Sequence, residues 1–214
     1  MDEIEILGSD SSLQQWSDAV AAPNAVPAGG SVAALASALA AALVAMVAGL
    51  TTRREKYAAV HRYAQEILER AEVLRLDLLE LARQDAIVVA EFMDALTLPQ
   101  TTEFERTARD AARRAALLEA ARIQLELLDQ AADVAALAEA MVGSGVATAI
   151  GDAATASFLA AAACRSAYWS IRSNLRSINQ RDDTRPLVES AVVTLDRVEA
   201  AEIRVRQVLD ERVG

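Results

Sequence analysis

The chain has 214 residues, 53% hydrophobic and 24% charged, with 4% aromatics, eight glycines and four prolines, a profile that excludes disorder and favours helix throughout. Its net charge of -10 excludes non-specific binding to nucleic acid or to an anionic membrane, both of which need a basic face. One cysteine, Cys164, and one histidine, His61, exclude an internal disulfide framework, a four-cysteine zinc site and a multi-histidine metal site.

Asp10, Ser11 and Ser12 precede a short amphipathic segment to about Ala21, with Leu13, Trp16 and Val20 on one side. Residues 22–30 break it with Pro23, Pro27, Gly29 and Gly30. Ser31 to Leu50 is then almost wholly apolar and rich in Ala, the pattern of a core helix rather than a membrane span. Thr52-Arg53-Arg54-Glu55 fits a capping box and predicts the start of the next helix there. From Tyr57 a 3-4 spaced seam runs through Val60, Ala64, Ile67, Ala71, Leu74, Leu78, Leu81, Asp85, Val88, Phe92 and Ala95. A stop near Thr97-Leu98-Pro99 and a second box at Thr102 to Glu105 open a helix to about Met141. Residues 143–151 read as a loop. Asp152 then begins an Ala-rich helix to about Ile178, and a last helix follows Asn179 to Asp183, with Pro186 in its first turn. Together these predict an all-α fold: one domain over residues 1–214, an up-and-down bundle of long antiparallel helices.

Asp85 is the only polar residue of its seam. A carboxylate there must be paired, protonated or used, either as a hydrogen-bonded group fixing helix register or as a general acid-base. Lys56 is the only lysine among 21 basic residues and joins Arg53, Arg54 and Arg62 in one local cluster, which is either a solvated helix start or a grip for an anionic group. Gly29, Gly30 and Ser31 offer backbone donors at the start of the core helix. Asp152 reads as a cap or dipole partner, and Asn174 is polar on a largely apolar helix. His61 and Cys164 have no visible partners and receive no role. The acidic N-terminal ten residues do not resemble a signal peptide, and the expectation is a cytoplasmic protein.

Pro27 to Leu35 (PAGGSVAAL), followed by Met46-Val47-Ala48, Leu50-Thr51 and Lys56-Tyr57, resembles the cyclodeaminase/cyclohydrolase family of folate one-carbon enzymes. That family places a Pro-Gly-Gly-Gly-Ser loop before an Ala-rich helix. Asp85 and Pro99 look like its Asp and Pro at the same separation. Gly145, Asp152 and Asn174 fall where its Gly-Asn-x-Asn-x-x-Ser-Asp loop and later Asn-Leu lie. The resemblance implies deaminating cyclisation of 5-formiminotetrahydrofolate or hydrolysis of 5,10-methenyltetrahydrofolate, in an all-helical homodimer. It implies no metal and no cofactor beyond the tetrahydrofolate-type substrate. Asp85 would be the acid-base group and Lys56 its electrostatic or proton-transfer partner, with Gly29, Gly30, Ser31, Arg53, Asp152 and Asn174 contacting substrate.

The chain departs from the pattern at Ala28 for the first glycine, Val146 and Thr148 for the loop asparagines, Gly151 for a serine, Ser170 for an asparagine and Gln100 for a lysine. Lost amides point to a different substrate or to a non-catalytic helical dimer that keeps the family core as a ligand-binding or interaction module. Helix rise puts Asp152 and Asn174 about 33 Å apart. Lys56 and Asp152 therefore belong to one end of the bundle, and the glycine turn, Asp85 and Asn174 to the other. Two subunits packed antiparallel would unite them, which predicts a site at a two-fold interface.

Overall fold

A computed structural model describes residues 6–176, 178 and 181–213. Among the described residues six α-helices follow one another: α1 (Leu13–Ala21), α2 (Gly29–Thr52), α3 (His61–Thr97), α4 (Glu103–Ser144), α5 (Ile150–Arg176) and α6 (Arg181–Val213). Short 3-10 turns at Glu55–Val60 and Ala147–Ala149 precede α3 and α5. No strand occurs among the described residues, and the fold is the all-α bundle expected. Helices α2, α3, α4 and α5 form an up-and-down four-helix bundle, each packed on its chain neighbours, with α2 closing the ring on α5. Helix α6 lies along α4 and α5, where the buried carboxylate of Glu202 bridges Arg165 and Arg206.

Composition explains the centre. Ala33, Ala34, Ala38, Ala40, Ala41, Ala45 and Ala48 of α2 are buried with Val44 and Val47, and small side chains let α2 sit close to its neighbours. The facing stripe of α5 is built the same way from Ala153, Ala156, Ala160, Ala163 and Ala167. These two helices are long and apolar enough to cross a membrane, yet 56% and 50% of their most apolar windows are buried inside the bundle. Helices α3 and α4 continue past the start of α2 as a projecting arm, since the twelve residues that follow Asp85, up to Thr97, add about 18 Å of helix.

Several boundaries differ from those the sequence predicts. Ser12 alone caps α1, reciprocally with Gln15. Thr52 does not cap α3. It lies in the last turn of α2 and donates its hydroxyl to the Gly49 carbonyl, while Thr51 donates to Val47, so both hydroxyls satisfy a helix end instead of starting one. Helix α3 begins only at His61, whose Nε2–H donates to the Arg54 carbonyl at 3.0 Å. The Thr102–Glu105 box forms as predicted, and its backbone hydrogen bonds hold the Glu105 carboxyl below its usual range. The predicted 143–151 loop shrinks to a tight turn. Gly145 allows it, because a Cβ there would lie 2.6 Å from the Met141 carbonyl oxygen. Asp152 is consequently the third residue of α5 and not its cap. Residues 179 and 180 of the predicted Asn179–Asp183 break lie outside the described residues. Residues 181–183 are already helical, which places Pro186 inside α6 rather than in its first turn.

Candidate functional site

Asp85 sits on the inward face of α3 and is 4% exposed. Ser31 Oγ, two residues into α2, donates to its Oδ2 at 2.8 Å, and Gln124 Nε2 from the middle of α4 donates to its Oδ1 at 2.6 Å. Three helices thus meet on one carboxylate. Gly30 is what lets them: a Cβ on it would stand 2.0 Å from Gln124 Nε2 and 2.3 Å from Asp85 Oδ1. The glycine therefore has a steric reason that does not depend on any ligand. Gln124 is 1% exposed, and its Oε1 is buried with no hydrogen-bond partner among the described residues, at a cost of about 1–3 kcal/mol for such an acceptor.

A cavity of about 250 Å³ opens beside this trio. Its floor is Gly29, Gly30, Asp85 and Gln124, its apolar wall comes from Val88, Phe92 and Leu117 at the base of the arm, and α5 closes it with Ser170, Ser173 and Asn174. Asp85 is the only ionisable side chain among the lining residues. The volume is below the roughly 300–1,000 Å³ of most small-molecule pockets, so it suits one ring or one reacting group rather than a long ligand. A larger cavity of about 570 Å³ lies farther out between α3 and α4 and contains none of the predicted residues.

Of the predicted residues, the fold gathers Gly29, Gly30, Ser31, Asp85 and Asn174 at one end of the bundle. Arg53, Lys56 and Asp152 lie at the other, all exposed. There the turn before α3 is tied to the turn before α5: Val146 N–H donates to Thr51 Oγ1 at 3.0 Å, and Ala147 N–H to the Tyr57 hydroxyl at 2.9 Å. Lys56 Nζ rests 5.9 Å over the Tyr57 ring. Within one chain Lys56 does not reach Asp85. Cys164 is buried without an ionisable partner in hydrogen-bond reach, and burial pushes its thiol up to about 12, the state of an inert core group.

Sequence reasoning missed Gln124. The signal was present, because positions 116, 120, 124, 127, 131, 134, 138 and 141 form a buried seam of α4 in which Gln124 alone is polar. The same criterion that singles out Asp85 on α3 finds it.

The family model described as Formiminotransferase-cyclodeaminase matches residues 12–191. The chain belongs to that family. It is 31% identical over 175 residues to a methenyltetrahydrofolate cyclohydrolase of Methylorubrum extorquens, covering 82% of this chain and 84% of that protein. It is 27% identical to the formimidoyltransferase-cyclodeaminase of Rattus norvegicus over 85% of this chain but only 34% of that longer protein. The crystal structure of a formiminotetrahydrofolate cyclodeaminase from Thermotoga maritima superposes with a TM-score of 0.86 at 26% identity, covering 96% and 98% of the two chains. Family membership thus rests on nearly the whole helical unit, including every element that lines the cavity.

Proposed function

We propose that this protein is a cytoplasmic folate one-carbon enzyme that uses Asp85 as the acid-base group at a carbon held between two nitrogens. The observation that carries the reading is a buried carboxylate held by two neutral donors at the floor of a cavity without basic side chains. Such a site is complementary to a cation. Formimino and methenyl groups both carry one, shared over an N–C–N unit. In the first case a folate nitrogen attacks the formimino carbon, its proton is taken up, and a proton is returned to the departing ammonia. In the second, water adds to the methenyl carbon and loses a proton, and the bond from that carbon to one of its two nitrogens then breaks as the nitrogen is protonated, leaving a formyl group on the other. Asp85 serves as the proton carrier in either, and Asn174, Gly29 and Gly30 orient the ring.

The other half of the site comes, in this reading, from a second copy. Val32, Leu39 and Met46 form an exposed apolar stripe on α2, flanked by half-buried Leu35, Leu43 and Leu50, and no charged residue occurs from Gly29 to Thr52. Pairing two α2 stripes antiparallel about a two-fold axis covers both faces. Because α2 is 24 residues long, the same operation carries Arg53, Lys56 and Asp152 of one copy towards Asp85 of the other, across the length of roughly 36 Å that separates the helix ends.

Purified protein titrated with 5-formiminotetrahydrofolate and 5,10-methenyltetrahydrofolate tests both parts. Turnover of at least one is expected, with Asp85→Asn lowering kcat by about a hundred- to ten-thousand-fold. Binding without turnover would favour the non-catalytic module instead. Sedimentation should give a dimer, and an active monomer would overturn the shared site.

A further inference from the structure

We propose that Gln124 is a positioning residue that keeps Asp85 hydrogen-bonded in both of its protonation states, by presenting either end of its carboxamide to the same carboxyl oxygen. In the structure the carboxamide donates through Nε2 to Asp85 Oδ1 at 2.6 Å, which suits a carboxylate. Its Oε1 accepts from no donor among the described residues, although it is buried. A half-turn about the last side-chain bond exchanges the two ends without changing the shape of the group. It then sets Oε1 against Oδ1, an arrangement that holds only if Oδ1 carries the proton.

The surroundings suit this exchange. Gly30 leaves the space that the carboxamide and the carboxyl share, and any Cβ there would fill it. Ser31, on the other carboxyl oxygen, has a hydroxyl that can donate or accept, so neither neighbour commits Asp85 to one charge state. An arginine or a pair of backbone N–H groups in the same places would hold the carboxylate only. From α2, α4 and α5 the cavity lining brings no ionisable side chain to Asp85 that would fix its charge instead. A group that must take up and return a proton in each turnover needs such neighbours, and in that sense the inference rests on the acid-base reading above.

Gln124→Met keeps the volume and removes both hydrogen-bonding ends, while Gln124→Glu keeps the shape and makes a carboxyl pair that shares one proton. With either folate as substrate, Gln124→Met should lower kcat ten- to a hundredfold with KM within threefold of wild type. Gln124→Glu should keep more of the rate and move the acidic limb of its pH profile upward. Equal loss in both variants, in step with the folded fraction and with an unmoved limb, would overturn the proposal. A readout without turnover separates this from the functional reading: with glutamine side chains labelled by nitrogen-15, the Gln124 amide protons should shift on acidification in the wild type and stay fixed in Asp85→Asn. An amide signal that is unchanged in the wild type across the whole pH range in which the protein stays folded overturns the proposal whether or not folates are substrates.

Discussion

The two ends of the bundle are built on opposite principles. At one, Gly30, Ser31, Asp85 and Gln124 are buried and interlocked around a cavity that holds a carboxylate and no cation. At the other, Arg53, Lys56 and Asp152 are exposed, and the structure around them is a pair of tied turns. A buried polar group is fixed by the neighbours that satisfy it, so its geometry is complete in one chain. The exposed Lys56 is held only by its approach to the Tyr57 ring, with no hydrogen bond to fix its ammonium among the described residues. The contrast teaches that one end is shaped and the other charged, and under the proposed reading the charged end becomes a site only against a second copy.

The largest expected effect tests that division directly. Asp85→Asn and Lys56→Ala should each abolish most turnover alone. A heterodimer of the two, isolated by a different tag on each subunit, should regain about half of the wild-type rate, because a two-fold site drawing Asp85 and Lys56 from different chains leaves one of two sites intact. An inactive heterodimer would mean that each chain supplies both groups. Next comes Gly30→Ala, which forces Asp85 and Gln124 apart. It should cost about 1–3 kcal/mol of stability in chemical denaturation, and displacement of the carboxylate should lower turnover about a hundredfold. A variant as active as the wild type would show that the close approach at Gly30 is not needed.

Smaller effects calibrate the region between the ends. Cys164 in the middle of α5 should resist maleimide at pH 8 in the native protein and react once it is unfolded. Its folded value is raised, so its contribution to stability is fully present below the ordinary value of 9.0 and is lost as the pH rises towards about 12. Denaturation midpoints across that range check the sign. The smallest change is Thr102→Ala at the tip of the arm, which removes one half of the capping box. It should cost about 1 kcal/mol and leave kcat and KM unchanged, since the tip is far from the cavity.

Most of the helical order was legible because hydrophobic period and caps are local. Asp85 was legible for the same reason, as a polar residue in an apolar seam. Gln124 obeys the same rule and was passed over because a neutral amide in a helix draws less notice than a charge, although it too must find a partner when buried. The Thr52 box misled because a threonine at a helix end can bond backward to carbonyls as easily as forward to N–H groups, and only the position of the helix end tells which. The 143–151 loop was misjudged because a Cβ at Gly145 would meet Val47 of α2 as well as the Met141 carbonyl, and the approach to α2 is one that no local window contains.

By itself, then, the sequence determined the helices, their antiparallel order and the membership of Gly29, Gly30, Ser31, Asp85 and Asn174 in one end of the molecule. Spacing along a rigid helix converts directly into distance, and short connections leave no other path. Only the tertiary structure decided that Gly30 is the gap into which Asp85 and Gln124 fit, that Ser31 and Gln124 hold the two carboxyl oxygens, and that the Gln124 amide oxygen is left without a donor among the described residues. Those facts depend on side chains from three helices meeting within hydrogen-bond reach, and no spacing within one helix sets how its neighbours pack against it.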